Sequence, residues 1–295
     1  MTNRVLHFCD ILHFPQDHTQ EIKAVLDDIA SSPERTAIFT EWSCRISQKD
    51  MQAQMVNIFQ EDAETLGIHH SMWALLCMLN VLPLTQEYYE TRGIPKEIML
   101  DTLKDFLIWT TLYKEQTGRL GLFESNWLTR HILCDIFRLG RLQFEFGDSV
   151  VQSNGDDLHK GDKILFVHIP RDGRMDHGEC KKSYALAVEF FARYFPDYDY
   201  KGFLCNSWIL DTRLKAYLPE DSNIIRFQND YTILESGDDP KTVLKHVFKK
   251  AEECLDMYPQ NTTLEKAVIS HLKSGKQLGY GIGFIPKMNA LNERE

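Results

Sequence analysis

The hydrophobic period changes once along this chain, at Gly140, and that change constrains the fold more than any other feature. Before it, apolar residues recur every three or four positions, the spacing of one helix face. Directly after it, Arg141-Leu142-Gln143-Phe144-Glu145-Phe146 alternates polar and apolar, the period of a half-buried strand. The two patterns predict different layers. We expect an all-helical N-terminal domain over residues 1–137 and a mixed-sheet α/β domain over residues 138–295, an α+β arrangement overall. The length of 295 residues agrees with two domains at roughly 150 residues each.

The first half carries helix punctuation. Ser47-Gln48-Lys49-Asp50 resembles a capping box, followed by Met51, Met55, Ile58 and Phe59 at helical spacing, with Gly67 as a C-terminal cap. A helix is predicted from about His70 to Leu82, stopping at Pro83. Another starts at Pro95, carries Met99, Leu103, Phe106 and Leu107 on one face, and ends near Gly118. A further helix is predicted from Glu124 to Leu139, with Leu128, Ile132, Ile136 and Leu139 in a stripe.

The second half alternates element types. Lys163 to Ile169 (KILFVHI) reads as a strand buried on both faces. Residues 179–195 form a helix with Tyr184, Val188, Phe191 and Phe195 inward. Gly202 to Leu210 is a strand. Ile224 to Phe227 and Tyr231 to Leu234 read as two more, followed by helices near 240–256 and 261–273 and a last strand from Tyr280 to Ile285. Such an order predicts a layered α/β or α+β domain with mixed pairing.

Composition removes several functions. Lys and Arg number 33 against 43 Asp and Glu, a net charge of −10. A duplex nucleic-acid surface needs clustered cations that an acidic chain does not supply, so no nucleic-acid partner is expected. The longest apolar run, Met72 to Leu79, is far below the roughly 20 residues of a spanning helix, so no membrane partner is expected either. The N-terminal residues lack the apolar core of a signal peptide, and a cytoplasmic location follows. Seven widely separated cysteines fit neither a C-x-x-C metal pattern nor a disulfide framework.

The segment richest in chemistry is Arg171-Asp172-Gly173-Arg174-Met175-Asp176-His177-Gly178-Glu179, between the strand KILFVHIP and a helix. A helix N-terminus presents free N–H groups, and arginine adds a forked cationic donor, so such a loop can hold a nucleotide pyrophosphate. A solvated surface loop is the plainer reading of the same residues, and its three acids oppose an anion.

Several separated motifs resemble a family of bacterial acyltransferase domain-containing proteins with a helical N-terminal domain and a GNAT-like (N-acetyltransferase-like) C-terminal domain. They are Arg92-Gly93-Ile94-Pro95, Gly121-Leu122-Phe123, Trp127-Leu128-Thr129-Arg130-His131, Arg138 to Glu145 (RLGRLQFE), Val167-His168-Ile169-Pro170, Phe190 to Pro196 (FFARYFP), Cys205 to Leu210 (CNSWIL) and Ser222 to Phe227 (SNIIRF). The resemblance implies transfer of an acyl group from acyl-CoA or acetyl-CoA to an amine, a small-molecule acceptor of unknown identity. It also implies two parallel central strands that splay apart around the pantetheine arm, here Lys163–Pro170 and Gly202–Leu210. Ile169, Arg171, Gly173, Arg174, Gly178 and Ser207 are then the cofactor-binding candidates. The phosphate loop departs from the usual Q/R-x-x-G-x-G/A pattern, with Gly173 and Gly178 only. A module that binds acyl-CoA or another small ligand without turnover is therefore the second reading.

Transfer needs a base for the attacking amine and a proton for the leaving thiolate. His168, at its strand end, is the candidate base. Tyr217, in RLKAYL, is the candidate donor, by resemblance in position. Cys205, on the strand expected beside His168, could act as a nucleophile, although a buried core cysteine is the plainer reading. His168, Asp172, Asp176, His177 and Cys180 can be drawn as a metal set, but no metal is expected from their scatter over a strand end and a loop. Trp127, Arg130 and His131 either line a cleft shared by the domains or pack their helix. His69-His70 reads as a polar helix start, and Lys245, Lys249 and Lys250 as a solvated face.

Overall fold

A computed structural model of the protein describes residues 2–46, 63, 65–153, 155, 157–248 and 252–289. The capping box at 47–50, the apolar set Met51, Met55, Ile58 and Phe59, and the pair Lys249 and Lys250 lie outside them. The chain divides into two compact units, Met1–Arg138 and Leu139–Glu295.

The first unit is helical: α1 (Thr2–Ile11), α2 (Gln16–Ala30), α3 (Pro33–Ile46), α4 (His70–Thr91), α5 (Lys96–Thr117) and α6 (Ser125–Ile132). Its core gathers Phe8, Ile22, Leu26, Phe39, Trp73, Leu79, Leu103, Phe106 and Leu128, with Phe39 edge-on to Trp73 at 5.5 Å. Two helix ends differ from expectation. α4 does not stop at Pro83 but runs on to Thr91. An internal proline costs about 3 kcal/mol, and burial on both sides outweighs it. Met72 to Leu82 is wholly buried before the proline, as are Thr85 and Tyr89 after it, and Thr85 Oγ1 donates to the Ile132 carbonyl at 2.9 Å. α6 ends at Ile132 instead of Leu139, because Cys134 adopts a left-handed φ of 57° that no helix continues through. Ile136 and Leu139 matched the helical stripe by coincidence of spacing and belong to a strand.

The second unit is built on a six-stranded sheet. In chain order it has β1 (Ile136–Leu139, within which the division falls), β2 (Leu142–Asp148), β3 (Lys163–His168), α7 (His177–Tyr194), β4 (Gly202–Ser207), α8 (Asn223–Asn229), β5 (Thr232–Asp238), α9 (Pro240–Val247), α10 (Thr263–Lys273) and β6 (Gly279–Pro286). The strand order is β1-β2-β3-β4-β6-β5. β3 and β4 are parallel; β2 with β3, β4 with β6 and β5 with β6 are antiparallel. Trp208–Leu210 is a 3-10 turn that ends β4 early, capped by Ser207. Ile224 to Phe227, expected as a strand, lies in helix α8. Two adjacent isoleucines suggested β structure, but Ser222 Oγ caps the helix by accepting from the Ile225 N–H, and Ile225, Phe227 and Gln228 turn inward together. α9 is shorter than expected, since Phe248 is already extended.

Cross-strand partners share a face of a sheet. The registers therefore put Gln143, Glu145, Phe166, His168, Leu204, Asn206, Ile282 and Phe284 on one face. Phe144, Val167, Leu165, Phe203, Cys205 and Ser207 occupy the other. α7 packs on that second face through Tyr184 against Phe144 and Phe203 and Phe191 against Phe146. On the first face, Val151 and Leu158 of the β2–β3 connection pack with Ile164, Leu204, Ile282 and Phe284.

Candidate active site

The seam between the two parallel strands opens towards its C-terminal end. Pairing between β3 and β4 comprises Leu165↔Phe203 and Phe166↔Leu204 and goes no further. Each strand keeps its outer partner to the end: Gln143↔His168 on β2, Ser207↔Gly281 on β6. Val167 and His168 therefore part from Cys205, Asn206 and Ser207 while both strands stay supported from outside.

At the end of β3, His168 Nε2 meets Glu145 Oε2 at 2.7 Å. An ionised carboxylate only accepts, so Nε2 carries a proton towards Glu145, and in the neutral ring Nδ1 is the acceptor nitrogen. Glu145 is mostly buried and the imidazole is 29% exposed, so the ring is fixed from behind and reachable in front. The sequence pointed to His168 and missed Glu145. Alternation in RLQFEF already put Gln143 and Glu145 on one polar face. Only the β2–β3 register, with Gln143 opposite His168, makes Glu145 its diagonal neighbour.

Cys205 is not beside His168. It lies on the opposite face, 1% exposed, among the rings under α7, and burial pushes its thiol up to about 12. The thiolate a nucleophile needs is strongly disfavoured there. Tyr217 ends the 3-10 turn Thr212–Ala216 and its hydroxyl lies 2.9 Å from His271 Nδ1. His271 Nε2 lies 3.0 Å from the Gln277 carbonyl, which fixes the proton on Nε2. His271 Nδ1 thus accepts from the tyrosine. The structure joins His168 to Glu145 and Tyr217 to His271.

The loop before α7 is ordered by a residue outside it. The Arg141 guanidinium, 10% exposed, donates to the carbonyls of Pro170 (2.8 Å), Gly173 (2.8 Å) and Arg174 (3.0 Å). Ile169, half-buried, links the end of β3 to this loop. Arg174 is exposed, whereas Arg171 Nη2 donates to the His246 carbonyl at 3.3 Å. Asp176 caps α7 by accepting from the Glu179 N–H at 2.9 Å, and Gly178 sits in the first turn, where a Cβ would come 3.3 Å from Asp176 Oδ1. Ser207 Oγ accepts from the Ile209 N–H at 3.3 Å.

The residues drawn as a metal set are dispersed. His177 Nε2 pairs with Asp230 Oδ2 at 2.8 Å, Asp176 is a cap, and burial pushes the Cys180 thiol up to about 12. Among the described residues no group of three or more His, Cys, Asp or Glu is assembled to hold a metal ion. Within the helical unit, Trp127 Nε1 donates to Asp105 Oδ2 at 2.9 Å and His131 Nε2 lies 3.2 Å from the same oxygen. His69 caps α4 by accepting from the Ser71 N–H.

Comparison with known proteins agrees with this geometry. Residues 4–134 match the N-acyltransferase N-terminal domain, and residues 136–285 match the GNAT-like C-terminal domain. No curated protein sequence matches the chain. Three similar solved structures are an acyltransferase in complex with decanoyl-CoA, one with decanoyl-CoA and teicoplanin, and one with CoA and 10C-teicoplanin. Each is 26% identical, with a TM-score of 0.76 over 95% of this chain and 86% of that chain. A helical unit followed by a mixed sheet with an opened parallel seam, matched over almost its whole length, places this chain in the family of acyltransferases that join an N-acyltransferase N-terminal domain to a GNAT-like C-terminal domain.

Proposed function

We propose that this protein is an acyl-CoA-dependent N-acyltransferase that transfers a medium-chain acyl group to the amine of a small-molecule acceptor. The observation that carries the reading is the opened β3–β4 seam with the Glu145–His168 pair at its mouth. Acyl-CoA as co-substrate is supported by the decanoyl-CoA and octanoyl-CoA held by the similar acyltransferases. The chain lengths they hold suggest the acyl class, and their acceptor complex suggests a small molecule. The pantetheine arm would lie along the seam past Ile169. The pyrophosphate would meet the loop of Arg171, Gly173 and Arg174 and the first turn of α7 at Gly178. Such a reaction belongs where acyl-CoA is made, in the cytoplasm, and a bacterial source fits the resemblance.

The chemistry then follows from the side chains. A free alkylamine is protonated at neutral pH, with a pKa of about 10.4, so it must lose a proton to attack. That proton goes to solvent; as the C–N bond of the neutral amine forms at the thioester carbonyl, His168 Nδ1 takes the second proton, which the nitrogen then sheds, and Glu145 stabilises the resulting imidazolium. The C–S bond breaks on collapse of the tetrahedral intermediate, the thiolate takes a proton from the Tyr217 hydroxyl as it turns from His271, and the phenolate regains a proton from the His168 imidazolium through solvent. Cys205 has no part in it.

The test is amine-dependent thiol release. Octanoyl-CoA is incubated with the protein and a panel of amines, and free CoA and acylated product are measured together. His168→Ala should lower kcat by about a hundredfold or more, the scale of a general base. Binding of CoA without amine-dependent release from any acyl-CoA would favour the non-catalytic binding module instead.

A further inference from the structure

We propose that Arg141 is the positioning residue for the phosphate-binding loop and performs the task that a glycine-rich sequence performs elsewhere. The inference rests on the acyl-CoA reading above. Its observations lie in Arg138 to Glu145, the segment that also carries Glu145.

Gly140 turns the β1–β2 hairpin with a φ of 75°, and a Cβ there would meet Ser183 Oγ at 3.0 Å. The hairpin tip thus lies directly on α7. The Ser183 hydroxyl accepts from the Arg141 N–H at 2.8 Å and donates to the Glu179 carbonyl at 2.9 Å. The main chain of Arg141 is fixed to the second turn of α7, and its side chain reaches back to the loop that precedes the same helix.

There the guanidinium gathers three carbonyls, those of Pro170, Gly173 and Arg174. All peptide bonds described are trans, so the N–H of each peptide points opposite to its C=O. Pulling these carbonyls onto Arg141 turns the N–H groups of Arg171, Arg174 and Met175 the other way. The N–H groups of Arg174 and Met175 make no hydrogen bond to the described residues. They form two consecutive donors beside the α7 N-terminus, the kind of main-chain concavity that accepts phosphate oxygens. A carbonyl bonded to a cation also polarises its own peptide, making the opposite N–H a better donor. Glycines allow such a loop by conformational freedom. Here an arginine behind the loop imposes it, and its charge lies under the anion's site within an acidic protein. Lysine could not replace it, because one ammonium cannot reach three carbonyls in the plane of a fork.

The experiment compares two thioester donors on wild type, Arg141→Lys and Arg141→Ala, with folding checked by circular dichroism. One donor is octanoyl-CoA; the other is octanoyl-N-acetylcysteamine, which has the thioester but no nucleotide. Both variants should raise the KM for octanoyl-CoA and the Kd for free CoA by about tenfold or more, as loss of uniform binding energy does. The rate with octanoyl-N-acetylcysteamine should stay within about twofold of wild type. A folded Arg141→Lys protein with unchanged affinity for CoA would overturn the proposal. So would an equal loss of rate with both donors, which marks a general structural role. Failure of the wild-type protein to bind CoA would instead overturn the acyl-CoA reading itself.

Discussion

Glu145 and His168 show how much a single carboxylate can decide. The imidazole has one nitrogen committed to Glu145 at 2.7 Å, which fixes both the ring plane and the tautomer. Replacing Glu145 with Gln keeps the shape and removes the charge that stabilises the imidazolium. The expected outcome is a kcat lowered by about tenfold with an unchanged KM for acyl-CoA, read from steady-state kinetics; an equal kcat would remove Glu145 from the mechanism. A second carboxylate acts on stability. Asp105 is 2% exposed, and although burial alone would raise its pKa, the His131 and Trp127 side chains hold it below its ordinary value of 3.8. A depressed folded pKa contributes stability above the unfolded value, and that contribution is lost as pH falls through the folded one. Asp105→Asn should therefore lose stability at neutral pH and show a flatter acid limb in urea denaturation as pH falls from about 5 to below the ordinary value of 3.8. His168 was legible in the sequence as a polar residue closing an apolar strand before proline. Glu145, Arg141 and His271 were not, because their roles come from register and from chain segments far apart in sequence.

At the scale of elements, the hairpin β2–β3 is fixed by more than its ladder. The Tyr198 hydroxyl accepts from the Gly147 N–H at 3.0 Å and lies 2.9 Å from the Gly147 carbonyl and 2.8 Å from the Ile164 carbonyl. Gly147 leaves room that a Cβ would take from the Phe166 ring, 2.3 Å away. Tyr198→Phe should cost about 1–2 kcal/mol of unfolding free energy, the value of hydrogen bonds to one hydroxyl, measured by urea denaturation. The turn at Gly140 is similarly constrained, and Gly140→Ala should cost about 1–2 kcal/mol from the left-handed backbone alone. Long periodic elements were legible: α5 between Pro95 and Gly118, β3 with its apolar run, α7 with its aromatic stripe. Ends and short elements were harder. Pro83 reads as a stop until the buried residues on both sides of it are weighed, and Ile224-Ile225 reads as a strand until Ser222 is seen to cap a helix.

At the scale of the whole molecule, the change of period at Gly140 lies next to the division of the chain at 138/139. A helical unit and a sheet unit each close their own core, and the turn and strand just after the division supply both the carboxylate that holds His168 and the guanidinium that gathers the carbonyls of the loop before α7. With a net charge of −10, a polyanionic co-substrate needs a local concentration of cations, and Arg141, Arg171 and Arg174 meet at one loop. Among the described residues no helix is long and apolar enough to cross a membrane. The central claim is that the opened seam and its loop hold acyl-CoA, and thermal unfolding with and without ligand tests it most directly. Octanoyl-CoA at about one hundred times its Kd should stabilise the protein by about 2.7 kcal/mol, with a melting temperature that climbs with ligand concentration. An unchanged melting temperature with octanoyl-CoA, acetyl-CoA and free CoA alike would contradict the account.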